Sequence, residues 1–301
     1  MAGDVSPVHR KYHRRRALFR RKKSLWLFLL PPLIGLLIFY IVPFFGGIYY
    51  SLTDGSYKNA FVGLQNYINI WQNPMFLLGL KNTLLLSLIC APAVWILSFL
   101  IAMLLNRLRP GGALLRNSIL LPYLMPASAM LLVWLLFFDY GGTLNRILHL
   151  LGMERMNWLD GAALRVPVIL LFIWKNLGFA VVLFLSALQT VPEPLYEYAR
   201  LEGAGFFRQA FSITLPLIMP TAFLVIIIEW ISAFKIFREV YFIGGAYPAD
   251  AVYTLQNYMN NMYNKLNYQN VTTAAYSFAL IVFVLFGVLF FLQNRMQRNL
   301  K

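Results

Sequence analysis

Six long stretches that are almost free of charged side chains constrain this chain more than any other feature. A helix needs roughly 20 apolar residues to cross about 30 Å of hydrocarbon in a bilayer. The stretches are continuously apolar and do not alternate, so membrane strands are not expected. They predict an all-α membrane protein with six transmembrane helices, at residues 25–51, 82–106, 117–138, 166–189, 216–237 and 272–294.

The composition supports lipid as the main solvent of the chain. Hydrophobic side chains make up 60% of the residues and charged ones 12%, whereas soluble domains carry about 25% charged residues. The net charge of +15 would suit a nucleic-acid partner, but nine of the 26 lysines and arginines lie within residues 10–23, directly before the first span. Such a tail is typical of a cytosolic flank, and no nucleic-acid partner is expected. We therefore predict a basic cytosolic tail at residues 1–24 and a transmembrane domain at residues 25–301.

The positive charges also predict the orientation of the chain. With the amino terminus inside, the inner segments hold seventeen lysines and arginines and the outer segments hold six. Loops on the cytosolic side carry the excess of positive charge. Both termini are therefore expected in the cytosol.

The connection between the fourth and fifth spans, residues 190–215, is longer and more regular than a minimal link. Thr190 and Glu193 have the spacing of a capping box, although Pro194 could instead be the first helical residue. Gly203 and its neighbours end that helix, because glycine tolerates a left-handed cap. A second short helix is expected at residues 206–213. The resulting helix–turn–helix is either an amphipathic hairpin resting on lipid or a rigid ridge for a soluble partner.

This loop resembles the EAA loop of permease subunits of binding-protein-dependent ABC importers. The spacing from Glu197-Tyr198-Ala199 to Gly203 and on to Leu215-Pro216 carries the resemblance. The six-span layout is similar to the carbohydrate group of these permeases over nearly the whole chain. Supporting matches occur at residues 61–67, 157–158, 234–241 and 244–245. Two positions depart from the family pattern: Tyr198 stands where alanine is usual and Glu202 where aspartate is usual.

The resemblance implies that the loop is a coupling helix seated in a cleft of an ATPase subunit. Carried over position by position, the implied ATPase-coupling residues are Glu197, Tyr198, Ala199, Glu202, Gly203, Ala204, Ile213, Leu215 and Pro216. It further implies a second homologous permease subunit, an ATPase dimer and an extracytoplasmic solute-binding protein. The loops at residues 139–165 and 243–271 are long enough to contact that binding protein.

ATP chemistry is expected on another chain. A P-loop requires a lysine directly after a glycine to reach the phosphates, and the sequence has no Gly-Lys pair. ATP and magnesium would therefore bind a separate ATPase, with no cofactor on this chain. The single cysteine excludes a disulfide framework, and three histidines leave little for metal or acid–base chemistry. We predict that the protein is not an enzyme.

Ionisable residues inside the predicted spans are costly unless they are paired or face water. Lys175 and Glu229 lie deepest, and three further charges lie near the end of span five, at Lys235, Arg238 and Glu239. Either they form ion pairs between spans four and five, or they line a polar pathway. Trp174 and Asn176 flank Lys175 and would suit a sugar. The residues predicted for a substrate pathway are Trp174, Lys175, Asn176 and Glu229.

Two functions are consistent with this sequence. The first is the permease subunit of an ATP-driven ABC importer for a sugar or oligosaccharide, in a bacterial inner membrane. The alternative is a proton-coupled secondary transporter that acts as a dimer and uses Glu229 as its proton site. The identity of the solute is not encoded in any motif of the chain.

Overall fold

The computed structural model describes residue 26 and residues 28–107 and 112–299. Within these ranges the chain is helical, and its β-structure is confined to one isolated bridge between Thr53 and Phe61. Six helical segments are long and apolar enough to cross a membrane. The predicted fold class is confirmed. The six segments are Phe28–Ser51, Pro74–Asn106, Ser128–Leu150, Gly161–Leu188, Met219–Gly244 and Tyr268–Arg295.

The helices are numbered here in chain order. Their bounds are α1 Phe28–Ser51, α2 Gln65–Trp71, α3 Pro74–Arg107, α4 Gly112–Leu124, α5 Ala127–Phe138, α6 Thr143–Leu150, α7 Arg165–Leu188, α8 Glu193–Leu201, α9 Phe206–Gln209, α10 Met219–Phe234, α11 Phe237–Gly244, α12 Leu255–Asn264 and α13 Tyr268–Asn299.

The third predicted span, residues 117–138, is not one helix. Helix α4 ends at Leu124, and α5 begins only after Pro126, whose ψ of 131° is not helical. A proline ring disfavours helical geometry in the residue before it and cannot donate a backbone hydrogen bond. Helix α5 alone has a length of about 18 Å, so a complete crossing of the bilayer requires α4 as well.

Other prolines in the spans are accommodated without a break. Pro92 lies inside the continuous helix α3, and Pro122 lies inside α4. Helix α1 contains a π-helical turn at Leu37–Ile41, directly before Pro43. The wider turn is a known response to a residue that cannot complete the regular hydrogen-bond ladder.

Spans two, five and six differ from the predicted bounds. Helix α3 begins at Pro74, eight residues before the predicted start, and α13 extends from Tyr268 to Asn299. Helix α10 ends at Phe234, and the chain turns at Lys235 before α11 continues. The extension of α13 is polar, and a hydropathy pattern does not detect a helix that continues beyond the hydrocarbon. The extension of α3 is mainly apolar, but it lies on the far side of Lys81, the charge that limited the predicted span.

The core of the molecule lies between α3, α7 and α10. These three helices bury the largest share of their apolar windows, whereas α1 and α13 remain largely exposed within the single chain. Leu86, Phe99, Val181, Phe184 and Val225 belong to this core. The connection between α7 and α10 lies at one end of this core, and the loop before α12 lies at the other.

Candidate functional site

Helix α8 opens the connection between α7 and α10. Pro192 is its N-cap and Pro194 lies in its first turn, a position where the missing amide hydrogen is not needed. The capping box predicted for Thr190 and Glu193 is wrong, because the Thr190 hydroxyl donates backwards to the carbonyl of Ala187 at 2.7 Å. The alternative start at Pro194 is closer to the observed geometry.

A Schellman turn ends α8. The amide of Ala204 donates to the carbonyl of Ala199 at 2.8 Å, and the amide of Gly203 donates to that of Arg200 at 3.0 Å. Gly203 has φ +76°, in the left-handed region, and a Cβ there would meet no atom within 4 Å. Backbone conformation alone, and not space, therefore requires glycine at this position.

Side-chain hydrogen bonds fix the second helix against the first. The hydroxyls of Tyr196 and Thr214 are 2.9 Å apart, and the amide nitrogen of Gln209 donates to the carbonyl of Ala204 at 2.6 Å. After α9 the chain forms a π-helical turn at Ala210–Thr214. Because these bonds join both helices and the turn between them, the hairpin is a rigid body.

The hairpin divides its residues between a packed and an exposed face. Tyr196 and Ala199 are buried, whereas Tyr198 is 68% exposed and Leu201 is 85% exposed. Leu195 is also exposed, at 39%, so α8 packs through Tyr196 and Ala199 and not through Leu195 or Tyr198. Among the other predicted coupling residues, Glu197, Glu202 and Gly203 are exposed, and Ala204, Ile213, Leu215 and Pro216 are half-buried.

A polar cavity of about 360 Å³ adjoins this hairpin. Its walls come from α8 and from the end of α3. The lining residues are Met103, Asn106, Glu193, Tyr196, Glu197, Arg200 and Gln209. The exposed apolar side chains beside this polar recess form a surface with the shape and chemistry to receive a protein partner.

Inside the spans, Lys175 forms an ion pair with Glu239 of α11. The Lys175 side chain is 26% exposed and that of Glu239 is 6% exposed. The structure therefore supports the ion-pair interpretation for Lys175. Glu229 does not serve as its partner.

The remaining predicted pathway residues lie in different environments. The Trp174 ring stacks on Trp134 with centroids 5.4 Å apart. The Asn176 side chain is buried and donates to the carbonyl of Phe172 at 2.9 Å. Glu229 is 1% exposed, and its Oε2 atom has no hydrogen-bond partner among the described residues. Trp174 and Lys175 thus contact side chains of neighbouring helices. Among the described residues, no hydrogen bond or ion pair joins Asn176 or Glu229 to either of them.

Sequence reasoning missed a set of hydrogen bonds that fixes the loop before α12. Asn82 donates to the carbonyls of Asp250 at 2.6 Å and Tyr253 at 2.9 Å. Arg165 donates to the carbonyl of Ala251 at 2.8 Å, and the Thr83 hydroxyl accepts from the amide of Leu255 at 2.9 Å. The signal in the sequence was Asn82, a polar residue at the edge of an apolar stretch. It does not identify its partners, because Asp250 and Tyr253 lie more than 160 positions further along the chain.

The amino-acid sequence is similar to known transport proteins. Residues 95–301 match the family described as "Binding-protein-dependent transport system inner membrane component". The chain is 30% identical over 287 residues to the trehalose/maltose transport system permease protein MalF of Thermococcus litoralis, with 93% of this chain and 97% of that protein covered. It is 31% identical over 304 residues to the diacetylchitobiose uptake system permease protein NgcF of Streptomyces coelicolor, covering 94% and 85%.

The fold is also similar to solved structures. A bacterial ABC transporter involved in the import of the acidic polysaccharide alginate has a chain that matches with a TM-score of 0.78 at 23% identity, covering 95% of this chain and 99% of that one. A second structure shows that kind of transporter in complex with an alginate pentasaccharide-bound periplasmic protein, again with a TM-score of 0.78. At this identity the likeness shows the fold.

Proposed function

The chain belongs to the binding-protein-dependent transport system inner membrane components, and from that premise we propose that it moves a sugar or oligosaccharide as the permease subunit of an ATP-driven ABC importer. The predicted resemblance is confirmed by the family match and the relatives. The protein is a multi-pass inner-membrane permease and not an enzyme. The carbohydrate substrate is supported by relatives named for trehalose/maltose and diacetylchitobiose.

The observation that carries the mechanism is the rigid hairpin with its exposed apolar tip. An ATPase drives a permease only if the contact between them is more favourable in one ATPase state than in another. A hairpin fixed by the Tyr196–Thr214 and Gln209–Ala204 bonds transmits such a difference, because its parts are held together and its two ends continue toward α7 and α10. The proposed contact surface comprises Glu197, Tyr198, Glu202, Gly203, Ala204, Ile213, Leu215 and Pro216, with the buried Ala199 packed beneath it.

The remaining components of the transporter follow from the same proposal. ATP and magnesium bind a separate ATPase dimer on the cytosolic side, where both termini of this chain also lie. A second homologous permease completes the pathway. An extracytoplasmic solute-binding protein delivers the solute at the opposite side, where the loops at residues 139–165 and 243–271 lie. A related transporter has been solved with its periplasmic protein.

We assign the solute pathway to the region around Trp174, Lys175 and Asn176, with Glu229 as a further polar position. Aromatic faces such as the Trp134–Trp174 stack bind the apolar faces of sugar rings. The Lys175–Glu239 pair keeps two charges neutralised at that depth. Glu229 is 1% exposed, so a solute hydroxyl reaches its unpartnered Oε2 atom only if α10 moves.

The coupling assignment is tested with Gly203→Val and Gly63→Val. Gly203 and Gly63 have φ values of +76° and +57°, and an added Cβ meets no atom within 4 Å at Gly203 and only the Phe61 ring, at 3.8 Å, at Gly63. Both substitutions impose a similar backbone strain, of about 1–2 kcal/mol, but Gly63 lies in the loop between α1 and α2, away from the hairpin. We expect Gly203→Val to abolish uptake and reduce ATPase co-purification while leaving membrane insertion intact, with Gly63→Val retaining uptake.

A second pair tests the charge at the hairpin. Glu197→Lys is expected to abolish uptake, whereas Lys58→Glu, a charge reversal in the exposed loop between α1 and α2, is expected to preserve it. Normal uptake by both Gly203→Val and Glu197→Lys would remove the coupling assignment.

The proton-coupled alternative is distinguished by the energy source. Membership in a binding-protein-dependent family does not support it. Uptake into vesicles should require ATP and be inhibited by vanadate. Uptake driven by a pH gradient alone would instead support the alternative.

A further inference from the structure

The loop between α5 and α7 folds around one buried side chain. Asn145 of α6 has no exposed surface. Its amide nitrogen donates to the carbonyls of Tyr140 at 3.1 Å and Met156 at 2.8 Å. Its carbonyl oxygen accepts from the amide of Met156 at 3.0 Å and from the Trp158 ring at 3.1 Å. Residues 139–158 therefore form a defined lobe, and α6 has a fixed orientation within it.

Helix α6 presents three distinct faces at about 100° of rotation per residue. The inward face carries Asn145 with half-buried Leu144 and Leu148. The next face, together with the residue directly after the helix, is apolar and uncovered: Ile147 is 44% exposed, Leu150 is 84% exposed and Leu151 is 70% exposed.

The third face of α6 carries one arginine and one histidine. Arg146 and His149 are exposed and neighbour each other along this face. A helix that packs on one side and leaves three large aliphatic side chains together on another has a surface that is normally covered. Arg146, whose Nε donates to the carbonyl of Gly141 at 3.1 Å, supplies the positive charge of the face beside it.

The position of α6 in the chain limits what can cover it. Four residues separate the end of α5 at Phe138 from Thr143, so α6 begins within about 18 Å of the end of a membrane span. The other end of the lobe leads directly into α7 at Arg165. Tyr140, in the turn between α5 and α6, is 55% exposed. Aromatic side chains at such positions are typical of the headgroup region.

We propose that α6 lies in the lipid headgroup layer at the outer end of α5, with Ile147, Leu150 and Leu151 in contact with the acyl chains. Arg146 then lies at the level of the lipid phosphates, the geometry of an amphipathic interfacial helix. This assignment depends on the membrane-spanning fold and not on the coupling role of the hairpin. It gives the lobe a lipid-facing side and leaves its remaining surface for a soluble partner.

The test is the environment of a spin label on each face of α6. Cys90 is the single cysteine of the chain and is buried, so Cys90→Ala provides a background for single-cysteine variants. Leu150→Cys and Leu151→Cys report on the apolar face, and His149→Cys is the matched control on the cationic face. The full-length chain, purified with its accompanying subunits, is reconstituted in liposomes of phosphatidylethanolamine and phosphatidylglycerol.

Collision with oxygen and with a water-soluble nickel chelate then distinguishes lipid from water. The labels at 150 and 151 should be several-fold more accessible to oxygen than to the chelate, with the reverse order at 149. Greater chelate access at 150 and 151 would overturn the proposal by placing this face in water. Low access to both reagents would also overturn it, because the face would then be covered by protein.

Discussion

At the scale of single residues, two ion pairs in the described part of the chain occupy contrasting environments. Lys175 and Glu239 are 26% and 6% exposed, whereas Arg200 and Glu193 are 57% and 66% exposed. A charge left alone inside a protein costs far more than one left alone at the surface. The Lys175–Glu239 pair should therefore contribute far more to the free energy of unfolding than the Arg200–Glu193 pair.

Glu239→Gln is expected to lower stability by about 3 kcal/mol, since it leaves the Lys175 ammonium without its counter-charge at membrane depth. Glu193→Gln is the control, and at most about 1 kcal/mol is expected there. Melting in detergent, followed by size-exclusion chromatography, measures both. The double variant Lys175→Met/Glu239→Gln should recover much of the loss, and an equal loss in both Glu→Gln variants would contradict a buried pair.

At the scale of helices, α4 and α7 approach each other closely at Gly178. A Cβ on this residue would overlap the carbonyl oxygen of Ile119, and it would also lie 3.1 Å from the Cα of Leu120. Glycine is needed here for the approach of two backbones, whereas Gly287 of α13 has open space around it. Small residues allow such contacts between membrane helices.

Gly178→Ala should destabilise the protein by about 1–3 kcal/mol, the usual range for overpacking, because the backbone of α4 must move. Gly287→Ala is a matched change within another membrane helix and should be neutral or slightly stabilising, because alanine is the better helix former. Detergent melting of the two variants gives the comparison. Equal melting temperatures would show that α4 and α7 are not in contact.

The helices also show which structural features the sequence predicts and which it does not. The span at 166–189 was close to α7, because its apolar residues are continuous and its ends are polar. The break at Pro126 was not predicted, since Pro122 remains helical only four residues earlier. Neither the capping pattern at Thr190 nor the orientation of Leu195 and Tyr198 could be decided locally, because packing against the core selects the buried face.

At the candidate sites, too, the sequence predicts local features but not contacts between distant residues. Gly203 was identified from its position after α8, because a left-handed cap is a local requirement. The sequence could not decide between Glu229 and Glu239 as the partner of Lys175, since helix rotation determines which of them faces α7. Asn82 and Asn145 were missed because their acceptors are backbone carbonyls, which have no sequence signature.

At the scale of the whole molecule, the orientation of the chain relative to the membrane determines the roles of its two polar ends. Tyr57, between α1 and α2, is fully exposed, and Leu201, at the end of α8, is 85% exposed. The excess of positive charge predicts that α8 lies in the cytosol and Tyr57 outside. Single cysteines at these two positions therefore report on opposite sides.

In a Cys90→Ala background, Tyr57→Cys should react with a membrane-impermeant maleimide in intact spheroplasts. Leu201→Cys should react only after permeabilisation, and co-expression of the ATPase should then protect it, since the proposed contact covers this position. Labelling of Leu201→Cys in intact spheroplasts would reverse the orientation and place the hairpin outside. Unchanged labelling in the presence of the ATPase would contradict the contact.

The bonds from Asn82, Arg165 and Thr83 to residues 250–255 have an evolutionary consequence. The atoms that they engage in this segment belong to its main chain. Every amino acid supplies a carbonyl oxygen, so these bonds constrain the path of the segment over α3 and α7 and not the identity of its side chains. The side chains at positions 252–255 are buried and are fixed by packing, whereas Asp250 is exposed and can be exchanged in evolution without loss of this support.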